Sequence, residues 1–371
     1  MTKQGHVGTI ELFSIVTIVQ VIPVFYSLPN LLAERVQTGA WLLQILINFL
    51  GFILFVPIYL LLKNFPGKSI IDIAQYLMGN IGRTLVSLLL GGYYFYTFVH
   101  FLRVFGEAVI NTALLATPLY AILVLAIMPP MLIAYLGLES LTRTSLIFAP
   151  IIGLGILMII VLTLPDVNFD AIYPLLGKSL LDHGKNALEL APVVHGTLFL
   201  AIWAPYFRKE KGMFSLVLVV FVLTMIIATS VVILTELCFP YPDIKLIPLP
   251  IYQIARIIYV GRFVQRIEAL VLIMAIVTTQ LHICAMFSTS VLAFAQGWKL
   301  TDWRPIIFPL AVTGFALAFI AHDLRELAAW YYSVPNSIIS AGVSVFLPII
   351  LYTLWLFKGK KGGENAENQT N

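Results

Sequence analysis

The stretch TRTSLIFAPIIGLGILMIIVLTL, running from Thr142 to Leu164, decides the fold class of this chain. Beyond Arg143 it is almost continuously apolar, without the alternation over about ten residues that marks a transmembrane β-strand. About twenty apolar residues cross about 30 Å of hydrocarbon as an α-helix. Similar runs fill the chain, whose 371 residues are 60% hydrophobic and 11% charged, with a mean hydropathy of +0.97. Soluble domains carry about a quarter charged residues. A water-soluble globule and a β-barrel are both excluded, and the fold class is all-α integral membrane.

Apolar runs bounded by charge, proline or glycine predict ten transmembrane helices, at approximately 10–33, 39–62, 84–112, 119–137, 143–164, 187–206, 213–237, 267–296, 304–321 and 335–357. Residues 1–357 form one permease-like domain, and 358–371 a polar tail expected to lack order. The first run follows Lys3 but contains Glu11, Gln20 and Pro23 and is too long for a signal-peptide core, so it is read as a span. An even number of spans puts both termini on one side. With cytoplasmic termini, thirteen Lys and Arg fall in inner segments and eight in outer ones, as the positive-inside rule favours. The net charge of +4 thus reflects topology, and no nucleic acid partner is implied. All six tryptophans, among them Trp203 and Trp330, fall at or near span ends, where the ring suits the headgroup level. Cys238 and Cys284 are far apart and suggest neither a disulfide nor a zinc site.

Polar groups in hydrocarbon cost several kcal/mol when unsatisfied, so their positions carry the functional information. Span 1 contains Gln20-Val-Ile-Pro23-Val-Phe25-Tyr26-Ser27-Leu-Pro29, in which two prolines each delete a backbone donor. Span 6 contains Pro192-Val-Val-His195-Gly196-Thr197, then Trp203 and Pro205. The broken spans are the first of each half, the footprint of a five-plus-five inverted repeat of the LeuT type. Irregular backbone at membrane depth is tolerated only inside protein or beside a cavity. A small ligand is therefore expected between the breaks, lined by Gln20, Phe25, Tyr26 and Ser27 and by His195, Gly196, Thr197 and Phe199, with Tyr94 and Phe98 of span 3 as lids.

Spans 3 and 8 each carry a polar stripe. Tyr93, Tyr96, His100, Arg103, Glu107 and Asn111 fall within a sector of roughly 80° on a helix. Glu268, Thr278, Thr279, His282 and Thr289 share a face of span 8. Both stripes should face a protein or water-filled interior, with His100, Arg103, Glu107, Thr279 and His282 as candidates for an ion or water pathway. Arg103 and Glu107 are spaced to neutralise one another at i,i+4; against that, the cation precedes the anion, the less favourable order, which suggests partners on other spans as the alternative. The pair Gly91-Gly92 reads as a close-packing feature. In the outer segment 251–266, Ile251, Ile254, Ile258 and Val264 recur near helical spacing against Gln253, Arg256 and Arg262, predicting a short helix on the membrane surface. Its arginines Arg256, Arg262 and Arg266, with Glu268 at the mouth of span 8, go against the positive-inside tendency and suggest a partner or gating surface.

No phosphate-binding loop, dinucleotide fingerprint, HExxH or nucleophile elbow is present, so neither an enzyme nor a cofactor or metal is expected. The segment Gly261-Arg-Phe263-Val-Gln265-Arg266-Ile-Glu268-Ala-Leu instead resembles the signature of the B-subunit permeases of bacterial spore germinant receptors, within the amino acid–polyamine–organocation superfamily. Leu28-Pro29 closing the polar part of span 1, the charged span 3 and the chain length support the resemblance, which covers essentially the whole chain. One departure is that Val21-Ile22-Pro23-Val24-Phe25-Tyr26 stands where such permeases often place glycines. The resemblance implies a germinant-sensing subunit in the inner membrane of the spore, working with A-type and C-type receptor subunits. It would bind a small nutrient, an amino acid or a sugar, and trigger ion release. The competing reading is a proton-coupled amino-acid transporter, with Glu107 or His282 taking the proton; a purely structural membrane subunit would leave the polar stripes without a purpose.

Overall fold

The computed structural model describes residues 7–194, 197–207, 212–258, 267–321 and 323–367, the last ten as backbone only. The signature residues 261–266, with Arg262 and Arg266, and both His195 and Gly196 lie outside the described residues. The described residues are helical throughout, without a strand beyond a single isolated bridge.

The chain runs through α1 (Thr9–Phe25), α2 (Leu28–Val36), α3 (Ala40–Asn64), α4 (Ile70–Thr112), α5 (Leu119–Leu136), α6 (Leu138–Thr163), α7 (Leu180–Val194) and α8 (Phe199–Trp203). It continues with α9 (Met213–Cys238), α10 (Pro250–Ile257), α11 (Ile267–Gly297), α12 (Arg304–Leu317), α13 (Leu324–Tyr331), α14 (Val334–Ala341) and α15 (Leu347–Glu367). Seven stretches are long and apolar enough to cross a membrane: Leu28–Asn64, Ile70–Thr112, Leu119–Leu136, Leu138–Thr163, Met213–Cys238, Ile267–Gly297 and Val334–Phe357. Thr9–Phe25 and Arg304–Leu317 are shorter apolar helices.

The apolar stretch 142–164 forms α6, where Ser145 and Thr163 donate to the carbonyls of Leu141 and Ile159, so that neither hydroxyl is left unpaired in hydrocarbon. Gly137, at φ +100°, is the whole connection between α5 and α6, and its N–H closes α5 on the carbonyl of Ile133. The 43 residues of α4 are about 65 Å of helix, twice a bilayer. A kink at Gly79, φ +75°, divides it and accounts for the start at Ile70, well before the predicted residue 84.

The principal seam joins α4 to α11. Gly91 allows the ring of Phe294 against the α4 backbone, where a Cβ would come within 2.6 Å of it. Ser290 donates to the carbonyl of Gly91 at 2.9 Å, and Ser87 to that of Ala293 at 2.8 Å. Farther along, the guanidinium of buried Arg83 donates through Nε to the Gln296 carbonyl at 2.7 Å and through Nη1 to Gln75 Oε1. A cation at the C-terminus of α11 is favoured by the helix dipole. Gly92, in contrast, has open space beyond its α-carbon.

Three expectations need correction. Trp203 is fully buried, its indole N–H donating to Thr289 Oγ1 at 3.0 Å, because α8 is a short piece in the core and not a span end at the headgroup level. The predicted surface helix 251–266 is α10, eight residues long, with Ile251, Ile254 and Ile258 buried against α9 and α11; its apolar face packs on protein. The tail is helical as far as Glu367, since α15 continues past residue 357 without a break in its backbone hydrogen bonding. Segment 165–186 is also ordered at its end: Ser179 and Asp182 cap α7, and the Ser179 hydroxyl, helped by Lys178 and Lys185, holds the Asp182 carboxyl below its usual range.

Candidate functional site

Pro23 shapes the first break. Lacking an N–H, it leaves the carbonyl of Val19 without a helical donor, and α1 ends two residues later. The chain turns at Tyr26 and Ser27 and resumes as α2, with Pro29 in its first turn. On the other side of the site, α7 ends at Val194 and α8 begins at Phe199, with residues 197 and 198 in a turn. Phe199 and Trp203 of α8 pack edge to face, with centroids 4.9 Å apart.

Side chains of α4, α9 and α11 close on these breaks. The hydroxyl of Thr279 donates to Ala275 O, so the 2.5 Å contact between it and Tyr26 is a hydrogen bond donated by the tyrosine. Gln20 accepts from Thr224 of α9 at 2.8 Å, while its buried Nε2 has no partner among the described residues. Tyr94 lies against the backbone of Phe199, and Phe98 packs on Phe287 with centroids 4.7 Å apart. His282 sits beside the carbonyl of Val19 that Pro23 releases, and neither of its buried ring nitrogens makes a hydrogen bond of ordinary geometry.

Gln20, Phe25, Tyr26, Tyr94, Phe98, Thr197 and Phe199 are thus buried around the breaks, and Ser27 is half-buried. They fill the space themselves. The cavity beside Phe25 and Tyr26 measures only about 30 Å³, far below the 300 Å³ or more of typical ligand pockets. Both ends are shut as well. Arg35 of α2 pairs with Glu189 of α7 at 2.9 Å, and Ser337 of α14 donates to the Glu189 carbonyl. At the opposite end, Val7 donates from its backbone to Tyr206 O at 2.8 Å, tying the start of α1 to the chain that follows α8. The geometry is that of an occluded site.

The charged stripe of α4 borders a separate space. His100 stacks on Tyr331 of α13 with centroids 4.1 Å apart, and Phe101 separates it from His282, touching both rings. Arg103 pairs with Glu107 at 2.6 Å and donates to the carbonyl of Ala318, at the end of α12, at 3.2 Å. The two charges pair within α4, and Arg103 is long enough to reach forward one turn while also capping α12. Tyr96, His100 and Arg103 line one wall of a cavity of about 340 Å³, closed by Leu317, Ala318 and Trp330. Asn111, in the last turn of α4, is exposed and donates to the Glu107 carbonyl. Glu268 is half-buried at the start of α11, and Arg256 is exposed, donating to Gln253.

Sequence reasoning missed Thr224, Glu189, Tyr331 and Glu236. Glu236 had a signal, being the one charged residue of α9. Tyr331 had none, because its partner lies in another helix.

A model of the spore permease family, described as spore germination protein, matches residues 6–326. The chain belongs to this family of spore germination proteins. Spore permeases are not an enzyme family, and the apolar spans make this member an integral membrane protein with a role in germination. No curated protein matches the sequence.

Proposed function

We propose that this chain is the permease-type subunit of a spore germinant receptor, binding a small nutrient between its two helix breaks and answering with a shift in conformation that leads to ion release. The observation that carries the reading is the Tyr26 hydrogen bond to Thr279, which closes the break of α1 and α2 on α11. An occluded polar interior is what a ligand-dependent population shift requires. In this reading the helices form ten spans in a five-plus-five inverted repeat of the amino acid–polyamine–organocation type. Residues 1–357 are the permease domain, both termini are cytoplasmic, and the chain sits in the inner membrane of the spore. His195 and Gly196 complete the ligand site, and His100, Arg103, Glu107, Thr279 and His282 form the ion or water pathway.

The transporter reading has one observation in its favour, the unpartnered imidazole of His282 beside a released carbonyl. A transporter must expose its site to both sides in turn and release the ligand inside, whereas a receptor need only bind. The test is binding and uptake of a panel of labelled amino acids and glucose by the chain reconstituted in vesicles. We expect saturable binding without accumulation. In the same assay Ser27→Ala and Thr197→Val should shift half-saturation by about two- to tenfold, the value of one hydrogen bond, at unchanged protein levels. Concentrative uptake would establish the transporter; unaltered half-saturation in both variants would put the ligand elsewhere.

A-type and C-type receptor subunits would dock on α10 and the chain leading to Glu268, through Arg256, Arg262 and Arg266. Arg256 is exposed and donates to a neutral side chain, Gln253. Arg256→Ala should lower co-purification of the other subunits severalfold while leaving membrane insertion unchanged. Undiminished co-purification of the triple variant lacking all three arginines would remove this surface.

A further inference from the structure

Glu236 is the only charged residue in α9, it is 3% exposed, and nothing derived above employs it. Its Oε1 accepts the backbone N–H of Ala40 at 3.2 Å. Its Oε2 is buried without a hydrogen-bond partner among the described residues. Arg35, in contrast, pairs with Glu189 and Arg103 with Glu107, and buried Arg83 is held by the Gln296 carbonyl.

Among the described residues no lysine or arginine forms an ion pair with Glu236. On α2, Arg35 is engaged by Glu189 and Glu34 is exposed. Asp170, in the turn packed on α9, and Arg256 of α10 are exposed as well. Lys63 of α3, Glu11 of α1 and Glu139 and Arg143 of α6 lie at the far ends of their helices. His183 of α7 lies at the same joint, its ring nitrogens 3.2 Å from the Gly39 carbonyl and 2.8 Å from the Ser179 carbonyl, of which a neutral ring donates to one. A metal ion would need several oxygen ligands, and one carboxyl group supplies too few. An ionised carboxylate held by one amide N–H in a buried site is costly, and a proton removes that cost.

The carboxyl group also lies under a joint. Between α2 and α3 the chain turns at Gln37, φ +60°, and Gly39, where a Cβ would collide with the Leu176 carbonyl and the His183 ring. From above, Thr38 donates to Pro174 O at 2.5 Å and Trp41 to Leu175 O at 3.0 Å. From below, the joint rests on Glu236 through Ala40. We infer that Glu236 is a proton-binding site beneath the α2–α3 elbow, neutral while the elbow is closed and ionised when it opens, so that movement of α2 exchanges one proton with water. On opening, the proton leaves Oε2 for an entering water, and the carboxylate remains on the Ala40 N–H, at the N-terminus of α3 where the helix dipole favours an anion. This holds whether the chain senses or transports.

Two measurements on the full chain in lipid nanodiscs test it, each against Glu236→Gln, which preserves shape and the bond from Ala40. In infrared spectra at neutral pH, wild type should show the carbonyl stretch of a neutral carboxylic acid that E236Q lacks; carboxylate bands in its place would overturn the proposal. In hydrogen exchange of residues 37–41, the ratio of the wild-type rate to the E236Q rate at the same pH should rise on the alkaline side, approaching about tenfold per pH unit. Intrinsic exchange cancels in that ratio. A ratio constant with pH would overturn the coupling to the elbow.

Discussion

Glu107→Gln is expected to lower the stability of the folded protein by about 3 kcal/mol, because it leaves Arg103 charged and buried beside a neutral partner. Arg103 and Glu107 are 7% and 13% exposed in their side chains, so solvent does little to screen the loss. The double variant Arg103→Gln/Glu107→Gln removes both charges and should recover most of the folded yield, as replacing a buried pair usually does. It should nonetheless fail to trigger ion release, since Arg103 lines the cavity of about 340 Å³ with Tyr96 and His100. Folded yield by size-exclusion profile and ion release from germinating spores are the two readings. Recovery of both in the double variant would reduce the pair to a structural element holding α4 to the end of α12.

Pro23→Ala should do the opposite, raising stability and abolishing the response. The new N–H would bond the Val19 carbonyl, a net gain of about 1 kcal/mol, to which relief of an interior proline adds up to about 2 kcal/mol more. Helix α1 would run straighter through the break, and His282 would lose the carbonyl beside it. The measurement is the thermal midpoint in detergent together with the germinant dose response. A stabilised variant that still germinates at the wild-type dose would show that the break is not needed for signalling.

The helix break at Tyr26–Ser27 was legible because proline acts locally: a missing N–H changes the backbone whatever surrounds it. The burial of Thr278, Thr279, His282 and Thr289 was legible for a related reason, since hydrocarbon tolerates such a stripe only on an inward face. What stayed hidden was decided by contacts between helices. Trp203 reads like its five fellows until Thr289 of another helix supplies its acceptor. Arg35 reads as a loop charge, and Glu189 as a lone acid at the start of span 6, until α2 and α7 meet. The elbow above Glu236 depends on segment 174–183 folding back over Gly39, which no spacing in the sequence announces. The close packing around the helix breaks was equally invisible, for the same bulky residues could line an open pocket or fill a shut one.

The seam of α4 and α11 limits how the molecule can change shape. At Gly91 the Phe294 ring, and at Gly297 the Ser87 side chain, lies directly on the facing backbone with no room for a Cβ, and hydrogen bonds run across from Ser290 and Ser87. A slide or a turn of either helix by one residue would drive a ring or a Cβ into main chain, so the pair has no small-step degree of freedom of its own. Rearrangement must then be borne by the parts that have already lost regular backbone, the joint at Gly79, the discontinuity beside Pro23 and the turn at 197–198 that leads into α8. The protein is in that sense a rigid mast with jointed limbs, and the sites of its motion are fixed by where the helices are incomplete.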